Sequence, residues 1–173
     1  MNRILTSSFL LFVSFPAVAL MTGCRENLPA GMPKLYPASV TVTQEGKPLA
    51  GALVQLIPED SANSSWGPGG TTNTSGVVVL QTNGKYKGAP LGKYKVTVSK
   101  REKEPHPNPE LAGGPEFRRY VEIDKNLKTY SYVEPQYGSI AKTPLSVEVT
   151  AREKTYTVDA GKAIKTEAKR LQQ

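Results

Sequence analysis

Few side chains in this chain of 173 residues are equipped for covalent or acid–base chemistry. There is one Cys, Cys24, one His, His106, and one Trp, Trp66. A lone Cys forms no internal disulfide and no thiolate zinc cluster, so Cys24 is left as a nucleophile or an attachment atom. A lone His removes every arrangement that needs two, from the zinc helix motif to the two-His-one-carboxylate iron site. His106 stands in Pro105-His106-Pro107. A general base needs a packed setting and an orienting partner, and a Pro-flanked loop His reads as an exposed side chain instead. Glu102, Glu104 and Glu110 are near it in sequence but interleave with Lys and Arg and match no metal-ligand spacing. Neither an Asp-rich calcium loop nor a phosphate-cradling Gly motif is present. No catalytic residue, metal or cofactor is therefore expected. The ligand chemistry that remains is stacking. Trp66, in the Gly-rich loop 59–70, and Tyr86, in the next loop, have the ring faces to cover a carbohydrate, or Trp66 buries its apolar body over one open end of the fold.

The elements that must position these residues are short. Gly and Pro together make up 29 of the 173 residues, roughly 17% against ~12% in ordinary chains, which favours a turn-rich, strand-rich module. Residues 38–44 alternate Val40 and Val42 against Ser39, Thr41 and Thr43; residues 52–57 alternate Ala52, Val54 and Leu56 against Leu53, Gln55 and Ile57. Thr71-Thr72 reads as a short edge strand, 77–81 as a β-branched strand, and 93–99 as a strand with Tyr94, Val96 and Val98 inward. Residues 118–123 read as a resumed strand after the long interruption 100–117, and 124–143 have no clear period. Leu145, Val147 and Val149, then Tyr156 and Val158, supply the last two alternations. Roughly seven strands at this spacing, with little helix, predict an all-β, single seven-stranded β-sandwich. At 18 residues, 100–117 exceeds the usual structureless loop, which marks it as functional or mobile.

The N-terminus sets the expected compartment. Arg3 precedes residues 4–20, apolar apart from three Ser and one Thr, a run interrupted by Pro16 and shorter than the about 20 residues of a spanning helix. Leu20-Met21-Thr22-Gly23-Cys24 then resembles the lipobox of bacterial lipoprotein signal peptides, with Met21 where Leu, Val or Ile is commoner. The resemblance implies that Cys24 is acylated and the chain cut before it. An ordinary cleaved signal and an uncleaved anchor helix are the alternatives. Cleavage would leave 150 residues with a net charge of +6, enough for one domain. Arg25 is not the Asp that retains some lipoproteins in the inner membrane, so an outer-membrane address follows if the cell has one.

Three later segments carry a second resemblance. Val40-Thr41-Val42 followed by Gly46-Lys47-Pro48-Leu49-Ala50-Gly51-Ala52-Leu53-Val54, then Thr72-Asn73-Thr74-Ser75-Gly76-Val77-Val78, then Pro90-Leu91-Gly92-Lys93-Tyr94-Lys95-Val96-Thr97-Val98, are similar in order and spacing to carboxypeptidase regulatory-like domains. Asn73 and Val78 depart from that pattern, which has Asp and an aromatic there. Together with the lipobox, the chain resembles small lipoproteins of the kind predicted in planctomycete-like bacteria. The resemblance implies a prealbumin-like fold with Gly46, Gly76 and Gly92 at turns of positive φ. It implies little about function. The transthyretin-like hydrolases and intradiol dioxygenases of similar fold use several His, which this chain lacks. An amide cross-link like that of collagen-adhesin B-type repeats would fall between Lys34 and Asp159.

The expected organisation is a signal peptide over 1–23, a lipidated Cys24 with a tether over 24–37, a sandwich over 38–159 and a basic tail over 160–173. In the tail, Ile164, Ala168 and Leu171 share one face of a short helix or belong to a solvated end. The expected protein is an extracytoplasmic, membrane-anchored binding or structural module. Its partners are the bilayer, through Cys24, and an envelope glycan or another envelope protein; nucleic acid is not among them. A glycan-binding module using Trp66 and Tyr86 and a transthyretin-like hydrolase are the alternatives.

Overall fold

The computed structural model describes residues 28–168; the signal segment, Cys24 and Leu171 lie outside the described residues. The alternating runs become thirteen short strands with one α-helix and two 3-10 turns. In chain order the strands are β1 (Ser39–Gln44), β2 (Lys47–Pro48), β3 (Leu53–Pro58), β4 (Pro68–Thr71), β5 (Val77–Val79), β6 (Gln81–Thr82) and β7 (Tyr86–Lys87). They continue with β8 (Gly92–Ser99), β9 (Arg101–Lys103), β10 (Thr129–Ser131), β11 (Ser146–Val149), β12 (Thr155–Asp159) and β13 (Thr166–Glu167); α1 spans Phe117–Asn126. The described structure is mostly β. No helix in it is long and apolar enough to cross a membrane.

The strands form three sheets. One runs β12-β1-β2 with β5 also on β1, the second runs β11-β8-β3-β4-β6-β7, and a small one runs β13-β10-β9. All pairings are antiparallel except β1 with β12, which is parallel from Ser39↔Thr155 to Thr43↔Asp159. Strand period places Val40 and Val42 of β1, Val54 and Leu56 of β3, and Tyr94, Val96 and Val98 of β8 in one buried cluster, joined by Tyr156 and Val158 of β12. The inward rows of both larger sheets therefore share a single core. Each fully buried Val or Leu contributes on the order of 1.5–3 kcal/mol. Tyr94 carries its hydroxyl inside and satisfies it on the Pro90 carbonyl at 2.8 Å.

The turns follow from particular residues. The Asn73 side chain accepts from the N–H groups of Ser75 and Val77, both at 3.0 Å, and Gly76 closes the turn at φ 73°. A Cβ there would lie 2.7 Å from the Val42 oxygen, so only glycine lets the turn rest on β1. Gly46 and Gly92 also have positive φ, the conformation that glycine adopts without steric cost.

Five expectations are corrected. Residues 118–123 are helical: Tyr120, Val121, Ile123 and Asp124 form the half-buried side of α1 and Leu127 follows its end, a helical clustering that does not show as a period in a six-residue window. The interruption 100–117 holds β9 and a 3-10 turn over Pro109–Gly113. Of the edge strand expected at Thr71-Thr72, Thr71 ends β4 and Thr72 follows it, and β4 lies inside the second sheet, bonded to β3 on one side and β6 on the other. Its glycines and Pro68 hid it, since Pro is tolerated at a strand's first residue. In the tail, Thr166–Glu167 pairs with Tyr130–Ser131 rather than forming a helix, because the free edge of β10 supplies hydrogen bonds a short helix would lack. Finally, the single strand expected at 77–81 divides. β5 pairs with β1 and β6 with β4, with Leu80 fully buried at the crossing between sheets.

Candidate functional site

His106 is half-buried rather than exposed. The Asn108 N–H donates to Nδ1 at 3.0 Å, which leaves the proton on Nε2, 3.1 Å from the Tyr120 carbonyl. The imidazole stacks on the Tyr120 ring with centroids 4.0 Å apart, and Phe117 stacks on the same tyrosine at 6.1 Å. Both nitrogens are engaged with backbone, so His106 fastens the loop to α1 and presents no free lone pair to a substrate proton. The nearby carboxylates are engaged elsewhere. Glu110 accepts from the Asn108 side chain at 3.2 Å, and Glu102 pairs with Lys100 at 3.1 Å. Among the described residues no three of His, Cys, Asp or Glu gather as a metal ion would require.

Glu104 joins the small sheet. Its carboxylate accepts from the Lys128 N–H at 3.0 Å and the Tyr130 hydroxyl at 3.1 Å, and these bonds, the backbone one first, hold its pKa below the usual carboxylate range. The same contact raises that of Tyr130. Lys128 reaches Glu167 at 3.1 Å, chiefly through which its own pKa rises. These groups are solvent-facing and bind β13 to its neighbours. Asp159 accepts from the Thr43 hydroxyl and the Gly161 N–H, both at 2.8 Å, and is held below the usual range, chiefly by Thr43. Lys34 lies over the Tyr36 ring, 5.1 Å from its centroid. The structure does not bring Lys34 to Asp159.

Trp66 and Tyr86 are each half-buried. Trp66 leads into β4, its N–H bonded to the Asn63 carbonyl at 2.9 Å. Tyr86 is in the edge strand β7, with the Lys85 amine 5.1 Å from its ring centroid. Register sets Tyr86 in the row of Pro68 and Thr82, which face the core. The two aromatic rings make no stacking contact with each other among the described residues.

A groove lies on the other face of the same strands. It has a volume of about 520 Å³ and is lined by β3, β4 and β6 with their connecting turns; neither Trp66 nor Tyr86 is among its lining residues. The register builds its centre. Gln55 of β3, Gly69 of β4 and Gln81 of β6 form one continuous cross-strand row, so the two glutamines flank a residue without a side chain, about 10 Å apart at the backbone. A Cβ on Gly69 would sit 2.7 Å from the Val54 oxygen, so the gap cannot be filled by substitution. Asn83 stands at one end, in an Asn83-Gly84 turn with φ of 53° and 67°. That pair is the tight-hairpin signal. Among the described residues the side-chain amides of Gln55, Gln81 and Asn83 have no hydrogen-bond partner. Leu53, 45% exposed, and Ile57 give apolar surface beside them.

Sequence alternation already puts Gln55 outward with Leu53 and Ile57. The pairing of Gln55 and Gln81 across Gly69 was not visible, because β4 had not been recognised as the strand between them. Comparison with protein-family models, with curated proteins and with solved structures finds no match for this chain.

Proposed function

We propose that this chain is a lipid-anchored module of the cell envelope. Acylated Cys24 holds it to the bilayer outside the cytoplasm, and a carboxypeptidase regulatory-like β-sandwich binds a ligand or an envelope component without catalysing a reaction. The observation that carries this reading is the position of the sole Cys. It ends an apolar run at Leu20-Met21-Thr22-Gly23, and twelve residues on, at Tyr36, paired backbone begins among the described residues. Twelve residues reach about 40 Å when extended, enough to lift the domain clear of a headgroup layer. In this reading the two larger sheets are the halves of the sandwich, and the segment from β9 to β10, with α1, is an insertion at one edge. The engagement of both His106 nitrogens with backbone supports a binding role over a hydrolase of the transthyretin-like class. Two acyl chains give the stable attachment that one alone does not.

Growth with a clickable fatty-acid analogue tests the anchor. The wild-type chain takes up the label and sediments with membranes; Cys24→Ala carries none and leaves the membrane fraction. Undiminished labelling of the variant would refute the assignment.

A further inference from the structure

We propose that the groove over β3, β4 and β6 is a binding site for a neutral oligosaccharide, with Gln55, Gln81 and Asn83 as its hydrogen-bonding residues. This rests on the binding role proposed above and names its ligand class. It uses neither Trp66 nor Tyr86.

The lining is uncharged throughout, in a chain with 37 charged side chains and a net charge of +7. A site for an anionic ligand would present Lys or Arg, and one for a cation would present carboxylates. What the groove does present is carboxamide. Each amide both donates and accepts, which matches a hydroxyl group, itself donor and acceptor. The three amides have no partners among the described residues, so their hydrogen-bonding capacity is not already spent there. Gly69 leaves an open floor between the glutamines where a ring can approach the sheet backbone, and Leu53 and Ile57 offer apolar surface to the C–H face of a sugar. The volume of about 520 Å³ falls in the range of small-molecule sites, roughly 300–1,000 Å³. An extended peptide fits less well. Strand addition needs a free edge, and β4 is already bonded on both sides.

The test is titration of the full-length protein in detergent with neutral trisaccharides of glucose and of N-acetylglucosamine, α- and β-linked, followed by calorimetry. At least one binds. Gln55→Ala and Gln81→Ala each weaken it about tenfold, the loss of one to two hydrogen bonds, whereas Trp66→Ala does not. Both glutamines face outward, so unchanged thermal melting of the variants confirms that the fold is intact. Binding by none of the sugars, or equal affinity in the glutamine variants, overturns the proposal; so does an unstructured peptide competing for the groove while the sugars do not. The same preparation is assayed for lipid on Cys24. Lipidated protein without sugar binding removes the groove assignment alone, and sugar binding by unlipidated protein removes the anchor alone.

Discussion

Gln44, at the end of β1, is 8% exposed, and its side-chain nitrogen donates to the carbonyls of Tyr132 at 2.9 Å and Lys162 at 3.0 Å. One amide thus joins the first long strand to the chain after β10 and to the segment after β12. Gln44→Leu keeps the volume and removes both bonds, leaving the carbonyls of half-buried Tyr132 and exposed Lys162 without these donors. A loss of about 2–3 kcal/mol is expected, seen as a lower urea midpoint with an unchanged slope. Tyr94 makes a pH prediction. Its burial pushes the phenol pKa from 10.0 up to about 12, so between those values the unfolded chain loses a proton that the folded chain keeps. Stability is full below pH 10 and falls as pH rises toward 12, by on the order of 2–3 kcal/mol. Tyr94→Phe costs about 1 kcal/mol at neutral pH through the vacated Pro90 carbonyl and flattens that alkaline decline; denaturant titrations at pH 8, 10 and 11.5 read both effects. Asp159 acts with the opposite sign. Its lowered pKa gives stability present above the usual carboxylate range and lost on acidification, and its exposure keeps the effect small.

Among the elements, turns with the same φ differ in what surrounds them. Gly46, at φ 74°, has open space where a Cβ would go, while at Gly76, φ 73°, a Cβ would lie 2.7 Å from the Val42 oxygen. Gly46→Ala is expected to cost about 1 kcal/mol, for backbone conformation alone. Gly76→Ala should cost about 2–4 kcal/mol, since β1 must also shift; paired thermal melts separate the two. These turns, and the inward faces of β1, β3 and β8, were legible because residue period and turn chemistry are local. What escaped was decided by partners distant in sequence. β4 is a strand because β3 and β6 bond it from both sides, although Pro68-Gly69-Gly70 has poor strand propensity. β13 is a strand because β10 leaves an edge open. The helix α1 escaped for a different reason: its stripe emerges only over ten residues. His106 read as an exposed loop side chain because its stack on Tyr120 depends on that helix. His106→Ala removes the stack and the Asn108 bond, and faster amide exchange across Phe117–Asn126, with β3 and β8 unchanged, is the expected result.

For the molecule as a whole, the proposed attachment atom, Cys24, precedes a β-structure whose face carries an uncharged groove. With Cys24 as the proposed anchor, the groove is expected to bind identically with and without lipid, the anchor deciding only where binding occurs. Neither the fold nor the charge of +7 specifies the proposed role; the proposal rests on the single Cys. The most direct measurement is intact and peptide-level mass spectrometry of the protein isolated from its native envelope. The account predicts an N-terminal residue Cys24 carrying a diacylglyceryl group and, with amino acylation, a third chain, with nothing retained from 1–23. A mature chain that begins at any other residue, or at an unmodified Cys24, would contradict it.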